Sequence, residues 1–171
     1  MAEQKNLLIK VVDALEKINP EIQQMILDMA RQMTTMEIIQ LFNQQALDLF
    51  NTMIQITQEI GQDKKIKIGG YKSFFEHALH INVKLPLDKF TLIILEFANE
   101  IYSEEENCFM DMTIPDAKLE IGNEFGLIRS EIFKSLWKIL DKNHKQIIKE
   151  KIILLTTYAH TYFYKTVMAT V

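Results

Sequence analysis

Residues 34–61 read TTMEIIQLFNQQALDLFNTMIQITQEIG, and this stretch decides the fold class. Thr34 followed three residues later by Glu37 is a capping-box start, in which the threonine side chain takes up an orphan N–H of the first turn. Ile38, Leu41, Phe42, Leu49, Met53, Ile56 and Ile60 follow at helical spacing and share one face. Gly61 stands where a left-handed C-terminal cap is expected, because glycine takes positive φ without a Cβ clash. A long helix with one apolar face needs other helices to cover it.

The same period continues on both sides. Upstream, a helix is predicted over residues 3–18, with Leu8, Val11, Val12, Leu15 and Ile18 on one face. Asn19-Pro20 reads as an N-cap followed by proline at the first helical position, where its missing N–H costs nothing. The helix it opens, residues 20–33, carries Ile22, Met25, Ile26, Met29 and Met33. Downstream, residues 62–70 read as a loop, since Gly69 and Gly70 would each cost about 1 kcal/mol inside a helix. A helix over residues 71–80 comes next. Pro86 starts another, burying Phe90, Ile93, Ile94, Phe97 and Ile101 and ending in an acidic turn at residues 103–107.

Residues 108–122, interrupted by Pro115 and Asp116, keep no period and read as a long surface loop. A helix over residues 124–140 bears Phe125, Ile128, Ile132, Leu136 and Trp137. Asn143 with Gln146 caps a last helix that runs to the C-terminus through Ile148, Ile152, Leu155, Ala159, Tyr162 and Phe163. No stretch shows the two-residue period of a strand. The fold class is all-α: a single domain over residues 1–171, a bundle of six or seven helices ending in a helical hairpin around Trp137.

Composition bounds the function. With 48% hydrophobic residues, three prolines and five glycines in 171 residues, the chain is neither disordered nor linker-rich. The net charge of -4, with Arg31 and Arg129 the only arginines, speaks against a nucleic-acid partner, which would call for positive charge and bidentate guanidinium contacts. One cysteine, Cys108, cannot build a disulfide framework. Residues 152–171 are the one stretch resembling a membrane span, but His160, Lys165 and several threonines and tyrosines interrupt it, so it reads as a buried core helix.

Chemistry-bearing residues are weighed against plain structure. His77 and His80 lie one helical turn apart and could share a metal ion, yet two ligands do not make a structural site, and with Phe74, Phe75 and Leu79 beside them they read as part of a helix simply packing near its end. Glu104, Glu105, Glu106, Asp111 and Asp116 lack the spacing and central glycine of a calcium loop. Acidic neighbours disfavour a thiolate at Cys108. Gly122 and Gly126 follow no strand and form no phosphate loop. The stripe Met25, Met29, Met33 and Met36 reads as core filler before it reads as a binding surface. Lysines 134, 138, 142, 145, 149 and 151 read as a solvated face. No catalytic residue, cofactor or metal site is expected. Phe109, Met110 and Met112, three large apolar residues in an irregular segment, are the expected partner-docking anchors.

Several short patterns fall in a telling order. Phe42-Asn43 and Leu49-Phe50 on one long helix precede Asp63 and Tyr71-Lys72, and a phenylalanine-rich helix spans residues 90–97. Leu136-Trp137-Lys138-Ile139-Leu140, a polar turn, Lys145-Gln146-Ile147-Ile148 and the run from Leu154-Leu155 to Ala159 complete the series. Over residues 39–165 the chain resembles small all-helical uncharacterised proteins of nucleocytoplasmic large DNA viruses. It departs from them at His144, where the turn asparagine would stand, and at Lys149 and Lys151, where aromatics are expected. Residues 1–33 fall outside the resemblance, as an N-terminal helical extension.

The resemblance implies a non-enzymatic structural or protein-interaction component of the virus particle or virus factory, of minor capsid or cement type. The alternative is a virus-encoded helical regulator that binds a host protein helix. Its partners would be capsid or other virion proteins, with a homo-oligomer also compatible. Its place would be the virion or the host cytoplasm.

Overall fold

The computed structural model describes residues 2–105, 108 and 131–167, with side chains from residue 8 onward. Helix α1 spans Ala2–Glu16, α2 Pro20–Gln32, α3 Thr35–Glu59, α4 Gly69–Ile81 and α5 Leu85–Ile94. A 3-10 turn, Leu95–Phe97, joins α5 to the short α6, Ala98–Tyr102; then come α7, Glu131–Ile139, and α8, Lys142–Thr166. With α5, the turn and α6 taken as one interrupted unit, the described residues form seven helical units and no strand. The expected all-α bundle is the observed architecture.

Helix α8 stands at the centre, against α2, α3, α5 and α6. Its second half is largely enclosed: Thr156, Thr157, Ala159, His160, Thr161, Tyr162 and Phe163 are all buried, and Tyr158, Tyr164 and Lys165 are half-buried. Such a helix has little solvent face on which to place polar atoms. The threonines answer this locally, each donating its hydroxyl to the carbonyl four residues earlier: Thr156 to Ile152 at 2.7 Å, Thr157 to Ile153 at 2.8 Å and Thr161 to Thr157 at 2.8 Å. Tyr162 donates to Asp88 Oδ1 at 2.7 Å and ties α8 to α5.

Around this axis the core is aromatic and aliphatic. Phe42 of α3 meets Phe90 of α5 at 5.1 Å between ring centres, and Phe50 meets Phe75 of α4 at 5.5 Å. Val11, Leu15 and Ile18 join the same cluster, and α1 rests on the 3-10 turn and α6. The first two helices are therefore packed into the bundle and are not an appendage to it.

Three sequence signals hold as read. Asn19 Oδ1 accepts from the Glu21 amide at 2.8 Å with Pro20 opening α2, Thr34 Oγ1 accepts from the Glu37 amide at 3.1 Å, and Gly61 has φ 70°. Other expectations are corrected. The cap of α8 is Asp141, whose Oδ1 accepts from the His144 amide at 2.7 Å; Asn143 is already inside the helix. Gly69 and Gly70 open α4, in a first turn whose amides have no intrahelical partner, so their cost there is small. The helix from Pro86 does not run unbroken to Ile101 but tightens to a 3-10 turn at Leu95.

The methionine stripe is not uniform core: Met25 and Met36 are exposed, whereas Met29 and Met33 are half-buried. Nor are the hairpin lysines uniformly solvated. Lys149 is buried, Lys145 Nζ lies 5.6 Å from the centre of the Trp137 ring, and Lys151 pairs with Asp48 of α3. A long aliphatic stem lets lysine cover apolar surface while its ammonium seeks a partner.

The cap assignment has a direct consequence. Asp141→Ala should lower stability by about 1 kcal/mol in urea unfolding, while Asn143→Ala should stay within about 0.5 kcal/mol of wild type.

Candidate functional site

Of the four histidines, His160 alone is buried, at 3% exposure. Its Nδ1 lies 3.1 Å from the Tyr102 hydroxyl of α6, and the two rings are 6.0 Å apart. Burial lowers the His160 pKa to about 4, so the ring is neutral at ordinary pH. Burial pushes the Tyr102 hydroxyl up, against a smaller opposing effect of its hydrogen bond with Thr157, and the phenol keeps its proton. The result is an uncharged imidazole–phenol pair inside an otherwise apolar region.

This pair backs onto a cleft of about 300 Å³ between the α1–α2 corner and α8. Leu15, Ile26 and Leu27 supply apolar wall, His160 and Tyr164 come from α8, and Glu16 lies at the exposed edge. Their spacing explains the placement, since residues four apart on a helix lie one above the other. Helix α2 is held in place at both ends. Gln23 Nε2 donates to Ile18 O at 2.6 Å, across the corner, and Lys165 Nζ donates to Ala30 O at 2.8 Å, near the other end. Thr161 adds a contact to Met29 Sδ at 3.9 Å. The cleft is thus built before anything enters it, and it combines an apolar wall with polar side chains, Glu16, Gln23, Gln24, His160 and Tyr164.

The residues singled out by sequence are placed differently. His77 and His80 are both exposed on α4, and no group of three or more His, Cys, Asp or Glu side chains suited to a metal ion occurs among the described residues. Cys108 is buried. Glu104 and Glu105 are exposed, while Glu106, Asp111, Asp116, Gly122 and Gly126 lie outside the described residues. So do the three expected docking anchors, Phe109, Met110 and Met112. His144 has a structural post: Nε2 is 3.3 Å from Glu59 and Nδ1 3.4 Å from Asp141, joining the end of α3 to the start of α8. Sequence reading missed the His160–Tyr102 pair. The available signal was the polar series Thr156, His160 and Tyr164, every fourth residue along the second half of the last helix.

The chain is similar to an uncharacterised protein of Acanthamoeba polyphaga mimivirus, 46% identical over 166 residues, which cover 97% of this chain and 92% of that protein. The chain belongs to this family of nucleocytoplasmic large DNA virus proteins. With that coverage the family likeness takes in the first two helices, which the short patterns had left outside. No family model matches the chain, and no solved structure does. Among the described residues no helix is long and apolar enough to cross a membrane.

The buried imidazole makes stability depend on pH. Its folded pKa lies below the unfolded value near 6.5, so the unfolded chain binds the extra proton first as pH falls. The His160 contribution is therefore complete above about pH 6.5 and is lost progressively down to about pH 4, a change of order 3 kcal/mol. Urea unfolding at a series of pH values should show that decline, and His160→Gln should flatten it within this window.

Proposed function

We propose that the protein is a non-enzymatic structural or protein-interaction component of a large DNA virus, of minor capsid or cement type, acting in the particle or the virus factory. Membership of the viral family supports the setting. The observation that carries the docking role is the outer face of α4. Phe74 and Ile81, two turns apart and so on one side of the helix, are 57% and 58% exposed, and Val83 just beyond is 47% exposed.

Single exposed apolar residues are ordinary, but Phe74 and Ile81 along one side of α4, with Val83 just past its end, put several large apolar side chains in water on one helix. His77 lies on the same stripe, and a shallow hollow opens between Gly70, Ser73, Phe74 and His77. The partner is another protein of the particle, whose apolar side chain would fill that hollow. Phe109, Met110 and Met112 remain proposed as further anchors on sequence grounds.

Retention in purified particles tests the reading. The wild-type chain should stay with particles through a high-salt wash, and Phe74→Ser with Ile81→Ser should release at least about tenfold more protein at unchanged helical content. Alanine at Phe109, Met110 and Met112 together should act in the same direction. Recovery of the wild-type chain only as a monomer bound to a host helical segment, and never with particles or factories, would instead establish the regulator reading.

A further inference from the structure

Residues 61–75 read GQDKKIKIGGYKSFF and hold four lysines against one acid, Asp63, in a chain whose net charge is -4. Lys64, Lys65 and Lys67 are exposed and Lys72 is half-buried. The ion pairs among the described residues use His144 and Lys151, not these four. The stretch is nevertheless held firmly: Ile66 and Ile68 are buried in the core, and the amides of Lys65 and Ile66 donate to Gln62 O at 3.0 and 2.8 Å. Like charges fixed close together repel one another, and a partner of opposite sign relieves that repulsion. The run leads into α4, whose first turn has no acidic residue, and onto the hollow between Gly70, Ser73, Phe74 and His77. We infer that this basic edge and the hollow together take an acidic segment of the partner protein, with carboxylates on Lys64, Lys65, Lys67 and Lys72 and one apolar side chain beside Phe74. This rests on the docking reading of α4 and gives that partner its chemistry.

The combination of charge and apolar surface selects a protein segment. A nucleic acid would use the lysines but would set its phosphate backbone against exposed Ile81 and Val83, and no arginine accompanies the lysines to read bases. A lipid surface calls for an apolar front on the helix. The middle of the exposed face of α4 is instead Ser73, His77 and His80, with Phe74 and Ile81 to one side. An acidic segment meets both halves of the surface. Its charge speeds the encounter and is screened by salt, whereas the apolar contact persists once made. Because the lysine stretch is pinned by Ile66 and Ile68, little order has to be created on binding.

The probe is a fluorescein-labelled peptide of six glutamates flanking one central leucine, titrated into the full chain and followed by anisotropy. Saturable binding is expected, weakening about tenfold between about 0.05 M and about 0.3 M salt. Lys64→Gln, Lys65→Gln and Lys67→Gln together should weaken it about tenfold at low salt, and Phe74→Ser at least about threefold. These four side chains are exposed, so the variants should keep wild-type helical content by circular dichroism. The inference is overturned if the peptide does not saturate, if its glutamine counterpart binds equally well, or if the triple lysine variant binds like wild type. Tighter lysine-dependent binding to oligothymidylate or to phosphatidylserine vesicles, or pairing of the chain with itself through these lysines, overturns it too. Particle release of the Phe74→Ser, Ile81→Ser variant is read separately: release without peptide binding keeps α4 as a docking face and strikes only the acidic partner.

Discussion

A helix enclosed by other helices has to settle its polar atoms within itself, and the second half of α8 shows what that requires. Three buried threonines there would each carry a desolvation cost if their hydroxyls pointed into the core unpaired. Back-bonding to the carbonyl four residues earlier removes most of that cost within the helix itself. What these threonines then present outward is methyl surface, against which the neighbouring helices can pack. The same device recurs at Thr91 of α5, which donates to Leu87 O at 2.7 Å. A run too polar to span a bilayer becomes, by this means, apolar enough to be an axis.

The orientation of the surrounding helices depends on contacts at their ends. Gln23 takes up a carbonyl beyond the end of α1, Lys165 takes one near the end of α2, and Asn43 of α3 donates to Val83 O at 3.0 Å in the connection after α4. Each supplies a partner to a backbone carbonyl at or just beyond a helix end. Exposed pairs such as Lys151 with Asp48 weigh less, because solvent screens them and two long side chains must be held still. The bundle is thus specified by core shape and by side chains reaching across to helix ends more than by surface charge.

Much of this was legible in the residues. Helical period, the Asn19-Pro20 start, the Thr34 cap and Gly61 all act within a few residues of chain, so a linear reading captures them. The errors arose where a choice depended on what lay across the bundle. Asp141 and Asn143 are both competent caps, and the turn geometry after Leu140 decides for the earlier one. Met25 and Met29 look alike in sequence, but only Met29 faces α8, where Thr161 meets its sulfur. Lys149 resembles its solvated neighbours until the axis of α8 turns it inward. The cleft was illegible for the same reason: Leu15, Leu27, Tyr102 and His160 come from four helices, and no short pattern joins them.

The pair at the cleft raises a thermodynamic question that packing alone does not answer. A phenylalanine at position 160 and another at 102 would fill similar volume, add no titrating group and remove the loss of stability on acidification. Well-packed apolar replacements for buried polar pairs are often neutral or stabilising, so the hydrogen bond between Tyr102 and His160 does not by itself account for its own presence. The threonines of α8 differ, because each hydroxyl is paired first with a carbonyl of its own helix. His160 keeps a ring nitrogen beside a preformed cavity.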